Sequence, residues 1–411
     1  MSRGFDMKKY DVAVVGGCAS GITAAINAKR KNPKLNIVII EKLPRIGKKI
    51  LATGNGRCNL TNVNAVAEDY CNSDFVSDIF AKYPPQRVIG FFESMGLVTF
   101  ADSEGRVYPR SNMASSVLDV LRFELEKLGV EILCDTAVTQ IKKSNGGFVL
   151  NDNIFCKKVL VSTGGKASPS QGSDGSGYAL AKQLGHSVTP LCPALVPLTV
   201  RDNVRALKGV RARNVSLTLT NGRPLAKTSG ELLFTENGIS GIAAMELAAE
   251  AEKSLISAKG KTFTEIDFVP DMSEKELTVY LKKIKDINGK ANIDMFFAGI
   301  LPKAIGVEIC KAISLYKNDR TISQLKEEDI ISAARKAKKF RLEVAGTKGF
   351  ANAQVTSGGV PVSEISSNTM ESVICNGLYF AGEITDVDAR CGGFNLQWAF
   401  ASGLLAGENI W

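Results

Sequence analysis

Only one histidine, His186, occurs in the 411 residues. That rarity excludes H-E-x-x-H zinc sites and histidine-rich metal clusters, and it leaves a single imidazole for acid–base chemistry. His186 follows a helical stretch, within Gly185-His186-Ser187, and reads as a surface or helix-end residue rather than a catalytic base. Nine cysteines stand at positions 18, 58, 71, 134, 156, 192, 310, 375 and 391, and no two form a C-x-x-C pair. Neither a zinc ribbon nor a thioredoxin-like redox pair is available at such spacings, and no metal centre is expected. An odd, scattered set of thiols points to a reducing compartment. No segment approaches the ~20 unbroken apolar residues of a membrane span. The run Val12 to Val15 is too short for a signal-peptide core, so a soluble, cytoplasmic protein is expected.

What is present suits a folded chain, with 45% hydrophobic and 23% charged residues. At roughly 150 residues per domain, the length implies two or three domains. The formal net charge is +9, with basic clusters at Lys29 to Lys34, Lys142–Lys143, Lys157–Lys158 and Arg335 to Arg341. These read as solvated helix faces and loop ends. None is interleaved with aromatics as a nucleic-acid stacking platform requires, which favours a small-molecule substrate over nucleic acid.

The opening carries the clearest motif. Asp11 to Val15 reads as a buried strand, followed at once by Gly16-Gly17-Cys18-Ala19-Ser20-Gly21 and a helical pattern through Ile22, Ala25, Ile26 and Lys29. A second apolar strand, Ile37 to Ile40, ends in Glu41. This is the strand–turn–helix–strand–acid layout of a dinucleotide site: helix N–H groups face a pyrophosphate, and the acid accepts from a ribose. Cys18 stands where the second glycine of the fingerprint normally sits. Lys42 and Lys48 are candidates to neutralise phosphate charge.

Further on, Val117 to Leu128 reads as a helix, and Glu131 to Leu133 and Ala137 to Ile141 as strands. Lys158 to Ser162 is another strand, running into Thr163-Gly164-Gly165, and Gly177 to Leu184 is a helix. After Pro190, Pro193 and Pro197 the texture changes to alternating segments, Val215 to Leu219, Glu231 to Thr235 and Phe263 to Val269, as in antiparallel strands. From Ser273 the pattern is helical and opens on a capping box, Ser273-x-x-Glu276. Near the end the glycine-rich texture of the opening returns. Gly377-Leu378-Tyr379-Phe380-Ala381-Gly382-Glu383 is followed by Gly392-Gly393, Asn395 and a small-residue helix, Gln397 to Leu405.

With these segments in view, the chain resembles the BaiN/RdsA family of FAD-dependent oxidoreductases, some of which are described as aminoacetone oxidase-like. The matching stretches are Gly47 to Leu51, Thr53 to Asn62, Gly105 to Pro109, Pro193 to Leu198, Gly230 to Thr235, Gln354 to Val360 and Gly377 to Gly403. They span nearly the whole chain in order. The resemblance implies an α/β fold: a discontinuous Rossmann-like FAD-binding domain (1–191 and 342–411), interrupted by an inserted antiparallel β-barrel (192–272) and a small helical subdomain (273–341). It implies non-covalent FAD, NADH or NADPH as a possible electron donor, and, by analogy with some relatives, reduction of a C=C bond in a 3-oxo bile-acid or steroid-like substrate. Cys391 replaces a threonine usual in the family.

The FAD contacts expected on this basis are Gly16, Gly17, Cys18, Ala19, Ser20 and Gly21 at the pyrophosphate and Glu41 at the ribose. Val138 is a backbone contact to adenine. Lys42, Lys48, Thr163, Gly164 and Gly165 are also included. Arg57, Cys58 and Asn59 fall near the flavin, with Gly382, Glu383, Gly393, Asn395, Leu396 and Gln397 at its ribityl chain and ring. Cys58 has no cysteine a few residues away and reads as a small buried thiol; Arg57 is the stronger functional candidate. No catalytic acid is assigned; Arg57, Tyr108, Arg110, Tyr178 and Arg390 have suitable chemistry. Two rivals stand beside the reductase: an amine oxidase releasing peroxide, and a flavin-containing tRNA-modification or nucleic-acid-binding protein.

Overall fold

The computed structural model describes residues 7–257 and 261–411. Val12 to Val15 are all buried, as a strand covered on both faces of a parallel sheet demands. They form the core of β1 (Lys8–Val15), which the glycine-rich turn joins to helix α1 (Ala19–Lys31). The chain returns as β2 (Ile37–Ile40), parallel to β1, with Val12 opposite Ile37 and Val15 opposite Ile40. On its far side β2 pairs with Glu131–Leu133, and β1 pairs on its other side with Ile154–Val161. Gly147–Leu150 and Ile141–Ser144 extend the sheet in antiparallel fashion. The late strand Leu378–Phe380 joins Ile154–Val161 in parallel, completing a seven-stranded sheet. Both ends of the chain therefore build one domain, as expected from the return of glycine-rich texture.

The C-terminal helix, Phe394–Asn409, lies against α1 at very short range. A Cβ on Gly403 would stand 2.5 Å from Ser20 O, and one on Gly407 2.3 Å from Ala24 O. Glycine at both positions is what lets the two backbones meet.

Contacts divide the chain into two compact units, Met1–Cys192 with Gln354–Trp411, and Pro193–Ala353. In the second unit six antiparallel strands close a barrel: Leu198–Val200, Gly238–Ser240, Pro224–Thr235, Arg211–Thr220, Phe263–Asp267 and Phe340–Thr347. Its interior is lined by side chains that alternate along the strands, among them Leu217, Leu219, Leu232, Ile266 and Leu342, all buried,. Three longer helices follow, Glu274–Asn288, Lys303–Ala312 and Glu327–Lys338. The first is capped as its sequence predicts: Glu276 N donates to Ser273 Oγ and Ser273 N to the Glu276 carboxylate.

Three expectations need correction. The boundary placed at 341/342 falls inside the strand Phe340–Thr347, whose pairing with Leu198–Val200 closes the barrel. The strand expected over Ala137 to Ile141 begins only at Ile141; Asn151 instead binds this segment, accepting from Thr139 N and donating to Ala137 O. The final helix starts at Phe394 rather than Gln397. Gly393, at φ +101°, supplies the left-handed entry that the small-residue pattern alone does not mark,.

Candidate functional site

At the carboxyl end of β1 the backbone turns through Gly16, whose φ of +105° favours glycine,. Space argues the same way. A Cβ would stand 2.6 Å from Ser162 O at Gly16, 2.5 Å from Ile46 Cγ2 at Gly17, and 2.1 Å from Gly16 O at Gly21. Cys18 is the N-cap of α1, extended, with no side-chain capping bond, and burial raises its thiol pKa. The first intrahelical bond is Ile22 N to Cys18 O, so the N–H groups of Ala19, Ser20 and Gly21 have no partner within the helix. Glu41 is 9% exposed at the end of β2. Its Oε2 accepts from Gly17 N and its Oε1 from Leu43 N, both at 2.9 Å, which fixes the carboxylate beside the turn.

Two distant segments close on this turn. Ser162 Oγ donates to Gly16 O (3.0 Å), just before Thr163-Gly164-Gly165. Ser20 Oγ donates to Ala381 O (3.2 Å), just before Gly382-Glu383. Glu383 ion-pairs with Lys49 at 2.7 Å and accepts from Thr356 N at 2.9 Å. Thr356 Oγ1 in turn accepts from Lys166 N and Ala167 N. Ser162, Lys49 and Thr356 tie these segments together, and the sequence singles none of them out as a contact, although Lys49 lies in the Gly47–Leu51 stretch and Thr356 in the Gln354–Val360 stretch that carry the family resemblance.

A second cluster forms around Asn59. Cys58 adopts φ +58° and is fully buried, and burial pushes its thiol pKa up to about 12. It is therefore an inert thiol rather than a nucleophile. A Cβ on Gly393 would stand 2.8 Å from Asn59 Oδ1, and one on Gly54 3.6 Å from the Tyr108 ring. Asn59 Oδ1 is buried and has no hydrogen-bond partner. Arg57 stacks its guanidinium 4.4 Å from the Tyr108 ring centre, with Nη2 3.4 Å from the Tyr108 hydroxyl. Phe394, Asn395 and Leu396 are the first turn of the last helix, whose first intrahelical bond is Gln397 N to Gly393 O.

Several expected contacts are committed elsewhere. Lys42 ion-pairs with Asp174 at 2.6 Å. Despite burial, bonds from Lys42 and Ser176 hold the Asp174 carboxyl down at about 2. Lys48 donates to Ser170 O at 2.7 Å. Both lysines thus secure the 168–176 loop, Lys42 through a carboxylate and Lys48 through a neutral carbonyl. The Asn395 amide holds Ala389 and Arg390, and Gln397 is wholly buried between Thr61 and Tyr83. Both side chains thus hold the fold around the helix start, which leaves its first backbone N–H groups as the donors it can offer. Val138 lies outside any strand and is half-buried.

Among the remaining candidates, Arg390 pairs with Asp69 at 2.9 Å and lies over Phe394, so it supports the Gly392-Gly393 turn. Arg110 is exposed beside Phe100. The Tyr178 hydroxyl is buried without a hydrogen-bond partner, and burial, with Glu383 and Asp386 adding, raises its pKa. His186 departs furthest from expectation, being buried rather than at the surface. Its Nδ1 lies 2.8 Å from Glu364 and its Nε2 2.8 Å from Ser372, and the ring meets Phe380 edge-on. It clamps the loop leading into Leu378–Phe380.

With the geometry in hand, comparison with known proteins gives a consistent result. The family profile described as HI0933-like protein Rossmann domain matches residues 10–409. A 3-dehydro-bile acid delta(4,6)-reductase of Clostridium scindens is 39% identical over 97% of this chain and 98% of its own. A ribosomal RNA dihydrouridine synthase of Escherichia coli is 29% identical over 98% of each chain. Among solved structures, 3-ketosteroid delta1-dehydrogenase from Sterolibacterium denitrificans aligns with a TM-score of 0.53 at 14% identity, covering 98% of this chain and 99% of that one. At that identity the likeness concerns the fold alone. No helix among the described residues is long and apolar enough to cross a membrane.

Proposed function

The chain belongs to the HI0933-like Rossmann family, and on that premise we propose that it is an FAD-dependent oxidoreductase that saturates a C=C bond conjugated to a carbonyl. The names of the bile-acid and RNA relatives both denote that type of reaction. The observation that carries the reading is the convergence of the Gly16–Gly21 turn, Glu41 and the Thr163–Gly165 and Gly382–Glu383 segments on one end of the sheet. The residues fit FAD. Two helix starts offer free N–H groups for a pyrophosphate and a flavin edge. Glu41 suits a ribose, the glycines form a cradle that any Cβ would fill, and the unpaired Asn59 Oδ1 awaits a donor.

FAD held by these residues would supply the hydride, with NADH or NADPH as the proposed electron donor. The chain must then deliver a proton to the carbon next to the carbonyl and stabilise charge on the carbonyl oxygen. We assign the proton to Tyr108 and the charge stabilisation to Arg57, which the structure holds together. Hydride and proton together account for the two hydrogens added to the double bond. Burial, with Glu383 and Asp386 adding, raises the Tyr178 pKa, so its unpartnered hydroxyl is a neutral donor at that end of the site. Positioned acids contribute ~10²–10⁴-fold, so Tyr108→Phe should lower kcat by about that factor with FAD content unchanged.

The proposed substrate is a 3-oxo-Δ4 steroid of the bile-acid type. A uridine in RNA is the second reading, favoured by one observation: Pro193 to Ala353 holds 26 Lys and Arg against 19 Asp and Glu, most of the net positive charge. Purified protein should be yellow with flavin absorbance. In anaerobic mixing, NADH or NADPH should bleach it, and a 3-oxo-Δ4 steroid or a uridine-containing RNA should restore the colour. Colourless protein that does not take up FAD overturns the cofactor. Failure of both nicotinamides overturns the donor. Reduced enzyme that neither class of acceptor reoxidises overturns the reaction.

A further inference from the structure

Within the barrel unit a cleft of about 340 Å³ is lined by Arg213, Asn214, Phe268, Asp271, Tyr280 and Ile300. The strand Arg211–Thr220 is irregular here. Ala212 pairs with Leu232 and Val215 with Gly230, so Arg213 and Asn214 together face Glu231 alone. Asn214 takes φ +54°, a left-handed conformation. A bulge of this kind re-aims side chains at a strand's edge, and here it directs two polar groups to the cleft.

Elsewhere in the unit Arg201 pairs with Glu343, Arg211 with Glu231 and Lys338 with Asp267. Among the described residues the side chains of Arg213, Asn214, Asp271 and Tyr280 make no hydrogen bond or ion pair, although a cation and an anion share the one space. Phe268 forms a buried apolar floor, and Tyr280 offers an aromatic face.

We propose that this cleft binds a nucleotide. An apolar anion such as a steroid acid would satisfy Arg213 but leave the Asp271 carboxylate unpaired beside a second negative charge. A free amino acid would pair both but leave the aromatic surface bare. A nucleotide satisfies all of them: phosphate on the Arg213 guanidinium, base against Tyr280, and base N–H groups on Asp271, with Asn214 free to meet a base carbonyl. A carboxylate accepts two parallel N–H bonds, and among the common bases guanine presents two on one edge. The nucleotide is either free or part of an RNA strand. Its binding is read without turnover, so the proposal stands or falls apart from the reaction assigned above.

The test is calorimetric titration of the FAD-loaded protein with GMP, AMP and a guanosine-containing single-stranded RNA decamer. GMP should bind more tightly than AMP. Asp271→Asn and Arg213→Gln, at exposed positions where folding is not at risk, should each weaken GMP by about tenfold, the scale of a charge-assisted hydrogen bond, with FAD content and melting temperature unchanged. Decamer binding at least ~10-fold tighter than GMP, with a steep salt dependence, identifies RNA as the source. Comparable binding of GMP and decamer identifies the free nucleotide. Absence of saturable binding by all three probes overturns the proposal, as does binding that neither substitution alters.

Discussion

The two units of this chain use glycine and charge in opposite ways. Of 38 glycines, 27 lie in the cofactor unit and 11 between Pro193 and Ala353. Lys and Arg exceed Asp and Glu by 26 to 19 in the inserted unit but only by 25 to 23 elsewhere. The cofactor unit works by bringing backbone close to backbone, which requires residues without side chains at fixed spacings. The inserted unit displays side chains on a closed barrel, whose strands fix an alternation of inward and outward positions but not which residues face out,. Backbone approach therefore leaves a motif, whereas a displayed surface leaves only a composition.

The sharpest way to break the comparison is to add side-chain bulk in the cofactor unit. Gly21→Val would place its Cβ 2.1 Å from Gly16 O and 2.5 Å from Ser162 Oγ. The contacts are backbone or fixed polar atoms, so the turn must move, and the protein should be isolated without flavin absorbance. Gly90→Ala is the control. A Cβ there meets nothing within 4 Å, inside the helix Pro85–Glu93, so FAD should be retained and stability should rise by up to about 1 kcal/mol. Full FAD content in Gly21→Val would mean that close packing at the turn is not what binds the cofactor.

Glu41→Ala comes next. It removes an acceptor from Gly17 N and Leu43 N as well as the ribose partner. Loss of hydrogen bonds to a charged group costs ~1.5–3 kcal/mol, so FAD affinity measured by equilibrium dialysis should fall by roughly 10- to 100-fold. Unchanged affinity removes Glu41 from the ribose.

Legibility follows the same division. The turn, the acid at the end of β2 and the late Gly-Glu segment are readable because steric demand dictates residue type. The loop-holding roles of Lys42 and Lys48 are not readable, because a lysine near a phosphate site and a lysine holding Asp174 or Ser170 O look the same in sequence. The side-chain partners of Asn395 and Gln397 are hidden in sequence for a related reason: they lie in residues 389–390 and at Thr61 and Tyr83, a pairing visible only once the fold joins them. The closing barrel strand escapes notice because Phe340–Thr347 follows directly on a lysine-rich helix, with no turn residues to announce it.

His186 adds a pH dependence that belongs to the cofactor unit. Burial lowers its pKa below the ordinary 6.5, against the opposing influence of Glu364. Glu364 is buried in part, yet bonds from Ser187 and His186 hold its pKa below the usual carboxylate value. Both groups bind fewer protons folded than unfolded, so stability is present above their unfolded values and declines as pH falls. The His186 contribution should fade from about 6.5 downward, and that of Glu364 at lower pH. His186→Gln should cost about 2 kcal/mol, the scale of leaving buried partners unsatisfied, and should flatten the pH 5–7 part of the profile measured by chemical denaturation. A slope as steep as in the parent protein would place the titrating group elsewhere.

The smallest effect tests whether the inserted unit relies on local helix chemistry. Ser273 caps Glu274–Asn288 by accepting from Glu276 N, while Glu276 accepts from Ser273 N. The carboxylate gains from that bond, and the Glu276 pKa is lowered. Ser273→Ala removes one half of this reciprocal arrangement, and losing such a cap costs ~0.5–2 kcal/mol. The loss should appear as increased amide hydrogen exchange confined to the first turn of that helix, with FAD content untouched. Ser273→Asp should restore most of the protection, because aspartate caps as well as serine and adds negative charge at a helix start. If exchange rises instead across the seven-stranded sheet, the two units do not unfold separately. The contrast between a backbone-packed unit and a side-chain-displaying one would then not extend to their stability.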